Sequence, residues 1–206
     1  GETRHVSQIF VDSLHPWVPP GAKAAPVRIR VEPEARRQAE RWLCQRGWSS
    51  ADRPAAMHPG AGSTIKRWPP ELYIRLAEKL ELEGSRTILV IEGPAEVGTA
   101  KEISGKLAPG KVMQVESAPL VLVAALLERC ESFVGNDSGV AHLAAGLGVP
   151  TVVLFGPSLP QHWAPLGEHV TVLRDARGCE GCACGRGRHT CLRNISVEEV
   201  LRSILR

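Results

Sequence analysis

The chain has 206 residues, of which 43% are hydrophobic and 23% are charged. This composition is typical of a folded globular protein, and it excludes a largely disordered or fibrous chain. A formal net charge of +3 is too small to indicate nucleic-acid binding, so we expect no nucleic-acid partner.

Residues 1–30 show little apolar periodicity and contain four prolines, which is typical of a linker. Because the chain also lacks an initiator methionine, we expect 1–30 to be a linker or the remnant of a missing N-terminal domain, and 31–206 to form one domain. No secretory signal is visible, so the expected location is cytoplasmic. The longest uncharged stretch, 138–167, is interrupted by glycine and proline and does not predict a membrane span.

From residue 31 onward, helical patterns alternate with short apolar runs. The predicted helices are 33–46, 70–83, 95–107, 120–129, 139–147 and a last one that begins at Ser196. The predicted strands are 55–57, 87–91, 112–115, 132–134, 151–155 and 170–173. This alternation predicts an α/β fold, a Rossmann-like parallel sheet of about six strands with helices on both faces. Ligands of such sheets bind beyond the carboxyl ends of the strands.

The loop after the first strand, 58–71, has the parts of a phosphate-binding site. Two glycines let the backbone approach a ligand, Ser63 and Thr64 offer hydroxyls, and Lys66 and Arg67 bring positive charge. The alternative is an ordinary strand-to-helix turn with solvated basic residues. After the second strand, Glu96 could accept hydrogen bonds from ribose hydroxyls. The alternative is that its negative charge only stabilises the helix by interacting with the positive end of the helix dipole.

The loop after the fourth predicted strand is the most informative. Asp137 and Ser138 are good N-cap residues, Gly139 leaves the first helix amides uncovered for an anion, and His142 follows one turn later. Four polar groups around one helix N-terminus favour a binding site over a structural histidine. The loop 155–165 is rich in proline, and we assign no chemistry to it.

Four cysteines fall close together near the C-terminus, in a Cys-rich loop at 175–195. Cys179, Cys182, Cys184 and Cys191, with His189 nearby, could hold a structural metal, form a disulfide on oxidation or remain free thiols. The remaining two, Cys44 and Cys130, lie on helical patterns and are expected in the core.

Several motifs together resemble a known family. They are His-Pro-Gly-Ala-Gly-Ser with Lys-Arg-Trp-Pro, Gly-Pro-x-Glu, Gly-Asn-Asp-Ser-Gly-x-x-His and Phe-Gly-Pro, in family order across 55–165. The chain thus resembles the ADP-heptose:lipopolysaccharide heptosyltransferases, the inverting glycosyltransferases of family 9. The resemblance implies the C-terminal, donor-binding half of a GT-B enzyme, which moves heptose from ADP-heptose to the lipopolysaccharide inner core.

The resemblance also implies roles for particular residues. Ser63 and Lys66 would contact the donor diphosphate, Glu96 the ribose or sugar, and Asp137 the sugar hydroxyls. The phosphate site would be completed by Ser138, Gly139 and His142, and the adenine would be flanked by 118–121. No catalytic residue is expected in this chain, because the family's base and the lipopolysaccharide acceptor belong to the N-terminal domain. The chain alone should therefore bind donor but transfer nothing.

Other expectations concern cofactors, partners and alternative functions. The chain lacks an Asp-x-Asp motif, so no metal cofactor is required for transfer. Peripheral association with the inner face of the inner membrane would accompany action on lipopolysaccharide. Two alternatives stay open: a non-catalytic nucleotide-binding module, and a metal or redox module centred on the cysteine cluster.

Overall fold

The computed structural model describes residues 4–49, 52–84, 87–93, 98–175 and 191–205. The helices are α1 Val6–Ser13, α2 Pro33–Cys44, α3 Pro70–Gly84, α4 Thr99–Ser104, α5 Leu120–Leu127, α6 Gly139–Gly146, α7 Pro160–Trp163 and α8 Val197–Ile204. The strands are β1 Ala55–His58, β2 Ile88–Glu92, β3 Val112–Glu116, β4 Ser132–Asn136, β5 Thr151–Phe155 and β6 Val170–Arg174. Single turns of 3-10 helix cover Thr64–Lys66 and Leu192–Asn194.

The strands form one sheet in the order β3-β2-β1-β4-β5-β6, and every neighbouring pair is parallel. The predicted Rossmann-like fold is thereby confirmed. Strand β1 lies between β2 and β4, so the chain order reverses there, and Met57 pairs with both Val90 and Val134. A crevice for a ligand is expected at this switch point, outside the carboxyl ends of β1 and β4.

The hydrophobic core consists of two layers, one on each face of the sheet. Alternate strand residues face opposite layers, as the two-residue period of a strand requires. On β4, for example, Phe133 belongs to the layer under α2, α5 and α6, whereas Val134 belongs to the layer under α3, α4 and α8. The central strands are buried on both sides, which explains why they appear in the sequence as uninterrupted apolar runs.

The N-terminal arm, 4–32, contains a helix that the sequence analysis did not predict. Helix α1 begins after His5, whose Nδ1 accepts a hydrogen bond from Ser7 N. The other ring nitrogen of His5, Nε2, donates to the carbonyl of Ala164 at 2.9 Å. Further along the arm, Ile29 N donates to Gly146 O at the end of α6. The arm is therefore bonded to the residue that follows α7 and to the C-terminal end of α6.

Other sequence predictions had mixed outcomes. Ser196 caps α8 as predicted, with its side chain accepting from Glu199 N. Cys130 is buried as expected, but the prediction for Cys44 is wrong: it is exposed, because it is the last residue of α2 and Leu43 takes the core-facing position. Within the described residues, no helix is long and apolar enough to cross a bilayer.

Candidate functional site at the carboxyl edge of the sheet

A buried asparagine holds together the two loops at the switch point. Asn136 ends β4 and is completely buried. Its Nδ2 donates to the carbonyls of Pro59 at 2.8 Å and Gly60 at 3.1 Å, and its Oδ1 accepts from Trp68 N at 2.8 Å. Both ends of the β1–α3 loop are thus bonded to one side chain on the neighbouring strand.

The far end of the β1–α3 loop is fixed by an aromatic pair. Trp68 is fully buried, its Nε1 donates to the carbonyl of Ile195, and its ring packs edge-on against Tyr73 at 4.9 Å between centroids. Tyr73 OH in turn donates to His58 O. Burial raises the pKa of Tyr73 well above its usual range, so the phenol stays protonated and remains a donor. The segment 61–67 is therefore held at both ends, by the bonds of Asn136 to Pro59 and Gly60 and by the buried Trp68.

The loops that follow β1 and β4 meet in an ion pair. Lys66 Nζ lies 2.7 Å from Asp137 Oδ2, and the two side chains are 34% and 10% exposed. Lys66 belongs to the 3-10 turn whose N-cap is Ser63, and Lys66 N donates to Ser63 O. The structure therefore brings Lys66 and Asp137 into direct contact and places Ser63 three residues away on the same turn.

The N-terminus of α6 lies immediately after Asp137 and is open to a ligand. Ser138 is its N-cap residue but makes no side-chain capping bond, and its buried Oγ has no partner among the described residues. A Cβ added to Gly139 would meet nothing within 4 Å in the described part of the chain. Because the helix dipole and the first amides favour negative charge, this end of α6 can accept an anion.

His142 lies on the first turn of α6 and reaches solvent. Burial of part of its ring lowers the pKa of His142, and the charge of Asp137 opposes that shift. A lowered pKa keeps the imidazole neutral at neutral pH, so one ring nitrogen bonds the backbone of Trp163 and the other is left to face a ligand. His142 and Gly139 also line a cavity of about 320 Å³, which Val27 and Ile29 of the arm help to enclose.

Apolar side chains follow β3 at the same edge of the sheet. Leu120 and Val121 at the start of α5 are 64% and 62% exposed, whereas Ala118 packs against the core. Ser117 just before them has a φ of 46°, a left-handed conformation that is uncommon for a residue with a side chain. This segment, 118–121, gives the edge an apolar surface on which an aromatic base could pack.

Most of the remaining predicted residues lie outside the described ranges. Glu96, Cys179, Cys182, Cys184 and His189 are among the residues that the structure does not describe. Cys191 is described and buried. Within the described ranges, no group of three or more histidine, cysteine or acidic residues could hold a metal ion.

Sequence reasoning missed three polar residues of the site. Asn136 stood within the quoted motif without a role, although an amide at the end of a buried strand needs partners and so signals a structural bond. Glu92 ends β2 with its Oε2 accepting from Ala100 N at 3.0 Å, so this buried carboxylate holds the start of α4. Ser158, in the loop to which no chemistry was assigned, donates to Asp137 Oδ2 at 2.5 Å. No local pattern marks that last contact, because it depends on the adjacency of β4 and β5.

The fold and the site together define a class of protein. A parallel sheet in the order 3-2-1-4-5-6, with a basic turn and an open helix N-terminus at the switch point, is the arrangement of Rossmann-like domains that bind nucleotides. The family model for glycosyltransferase family 9 (heptosyltransferase) matches residues 25–189. The chain therefore belongs to glycosyltransferase family 9.

Individual relatives agree with this assignment. The chain is 31% identical over 177 residues to lipopolysaccharide heptosyltransferase 2 of Escherichia coli K12. The aligned region covers 79% of this chain and 49% of that protein. The solved structure of E. coli ADP-heptose lps heptosyltransferase II superposes with a TM-score of 0.72 and 28% identity, covering 86% of this chain and 52% of that one. The structure of a family 9 glycosyl transferase from Veillonella parvula superposes with a TM-score of 0.86 and 25% identity, covering 99% of this chain and 61% of that one. This chain spans about half the length of the E. coli relatives.

Replacing Asn136 tests the link between the two loops. In Asn136→Ala, one buried amide and two carbonyls lose their partners, so we expect a loss of about 2–4 kcal/mol in the free energy of unfolding measured with urea. The matched control is Asn194→Ala, because Asn194 is exposed and its side chain bonds only to Asp175 among the described residues. That control should change the free energy by no more than about 0.5 kcal/mol. Equal stability of the two variants would contradict the proposed anchoring.

Proposed function

We propose that this chain is the donor-binding half of an inverting glycosyltransferase that moves heptose from ADP-heptose to the inner core of lipopolysaccharide. The observation that carries the proposal is the contact between Lys66 and Asp137 next to the open N-terminus of α6. A cation, a carboxylate and uncovered amides at one point suit a ligand with a diphosphate and sugar hydroxyls. The names of the E. coli relatives supply the heptose and the lipopolysaccharide.

The ion pair is compatible with diphosphate binding rather than opposed to it. An ammonium group has three hydrogens, so Lys66 can keep its bond to Asp137 Oδ2 while donating to a phosphate oxygen. Ser138 Oγ, buried without a partner among the described residues, would gain an acceptor in the same event. On this proposal Asp137 accepts from a sugar hydroxyl, and Ser63, Gly139 and His142 complete the phosphate site.

The arrangement suits the chemistry of inverting transfer. An acceptor hydroxyl attacks the anomeric carbon in line with the departing diphosphate, so negative charge develops on the leaving group. Fixed donors at that position, here Lys66 and the first amides of α6, stabilise the developing charge without having to reorganise. The apolar surface at 118–121 would support the adenine, with Leu120 and Val121 exposed for that contact.

On this proposal, residues outside this chain deprotonate the acceptor and bind lipopolysaccharide. The base that deprotonates the acceptor, and the binding of lipopolysaccharide itself, belong to an N-terminal domain in the family that the chain resembles. We therefore expect the 206 residues to bind donor and to transfer nothing alone. Action on lipopolysaccharide would take place at the cytoplasmic face of the inner membrane.

A calorimetric titration of the 206-residue chain tests the proposed donor. We expect ADP-heptose to bind measurably and more tightly than GDP-mannose or UDP-glucose. Lys66→Ala should weaken ADP-heptose binding by about 1.5–3 kcal/mol, the scale of a hydrogen bond to a charged group. Lys101→Ala is the matched control, since Lys101 is exposed and belongs to α4, an element that supplies neither partner of the ion pair. Unchanged affinity in the Lys66 variant would contradict its assignment to the diphosphate.

Gly139→Ala separates ligand contact from folding. Because the added methyl meets nothing within 4 Å in the described part of the chain and Gly139 is not among the residues with positive φ, stability should be unchanged or slightly raised. ADP-heptose binding should nevertheless fall at least about tenfold, since the methyl would occupy the space that a phosphate needs above the helix amides. Melting curves and titrations on the same samples provide both readouts. Unaltered affinity would mean that the anion does not bind at this end of α6.

A further inference from the structure

The structure connects a third loop to the ion pair. Ser158 lies between β5 and α7, and its Oγ donates to Asp137 Oδ2 at 2.5 Å. The same oxygen accepts from Lys66 Nζ at 2.7 Å. One carboxylate oxygen thus has two donors from two different loops, one charged and one neutral. Among the described residues, none bonds the other oxygen, Oδ1.

The two donors differ in what a ligand would do to them. A diphosphate attracts the Lys66 ammonium, whose flexible stem lets it shift toward new charge. The hydroxyl of Ser158 carries no charge, so a diphosphate attracts it less. Its side chain is also short, so the hydroxyl cannot move far from Asp137. Since the Asp137 side chain is only 10% exposed, water could compensate only in part for a Lys66 bond weakened by a ligand. The Ser158 bond therefore keeps Oδ2 satisfied and in place while the Lys66 ammonium is shared between Asp137 and a ligand.

The backbone on both sides of Ser158 is held in place. A Cβ on Gly156 would come within 3.0 Å of the Leu192 side chain, so the loop passes closely against the 3-10 turn Leu192–Asn194. After α7, the carbonyl of Ala164 accepts from His5 Nε2. A hydroxyl on a loop anchored at both ends can fix the orientation of its partner.

We propose that Ser158 is a positioning residue for the donor sugar. By holding Oδ2 of Asp137, it keeps the carboxylate in the orientation in which Oδ1 accepts from a sugar hydroxyl. This inference rests on the proposed function, and it gives the loop between β5 and α7 a part in distinguishing a nucleotide that carries a sugar from one that does not.

The test compares two ligands in three variants. Ser158→Ala should lower the affinity for ADP-heptose about tenfold, the effect of one hydrogen bond to a charged group. The affinity for ADP, which lacks the sugar, should fall less than about threefold. Ser158→Thr keeps the hydroxyl and should remain within about threefold of the unsubstituted chain for both ligands. Ser203→Ala is the matched control, because Ser203 Oγ bonds only to a carbonyl within α8 and lies on another element. Calorimetric titration provides the affinities.

A ligand-independent measurement accompanies the titrations. A double-mutant cycle of Ser158→Ala and Asp137→Ala in urea unfolding should show coupling between the two side chains, whereas Ser203→Ala and Asp137→Ala should be additive. Equal losses for ADP and ADP-heptose, an equal defect in the threonine variant, or absence of coupling would each overturn the role of Ser158. Failure of the unsubstituted chain to bind ADP-heptose would instead refute the proposed function, and this inference with it.

Discussion

The site depends on a single buried amide. Asn136 occupies both of its polar atoms with backbone groups of the β1–α3 loop, across the boundary between β1 and β4. That boundary is where the strand order reverses and where no covalent connection joins the two strands directly. Without these bonds, neither end of the β1–α3 loop would be hydrogen-bonded to the Asn136 side chain on β4. With the bonds of Asn136 in place, the 3-10 turn that carries Lys66 is held at a fixed distance from the N-terminus of α6.

The role proposed for the ion pair of Lys66 and Asp137 depends on that constraint. Lys66 and Asp137 are 71 residues apart in the chain, yet their charged groups lie in contact. An exposed pair of this kind would contribute little to stability. Here the carboxylate is largely covered, and a neutral hydroxyl from the adjacent loop shares the same oxygen. The pair is therefore better explained as a preorganised cation and carboxylate at a binding edge than as a stabilising surface bridge.

Much of this could be predicted from the sequence, for reasons that are physical. The buried strands appear as apolar runs because both faces of the sheet are covered, so all six were located to within two residues at each end. Glycines, hydroxyls and basic residues after β1 and β4 indicated a phosphate site because parallel strands bring those loops to one edge. The contact of Lys66 with Asp137 is consistent with that expectation.

Other features could not be predicted because they depend on tertiary adjacency. Nothing in the loop 155–165 indicates that Ser158 meets Asp137, since that contact requires β5 to lie beside β4. Helix α1 was missed because its cap is the imidazole of His5 rather than one of the usual capping side chains, and because prolines follow closely. Cys44 was assigned to the core from helical spacing alone, yet the last residue of a helix can turn to solvent while its neighbour Leu43 is buried.

The most direct test of the central claim is a crystal structure of the 206-residue chain with ADP-heptose bound. We expect diphosphate oxygens within about 3 Å of Lys66 Nζ and of the first amides of α6, with the three bonds of Asn136 unchanged. A diphosphate bound away from the carboxyl ends of β1 and β4, or bound there without contact to either group, would contradict it.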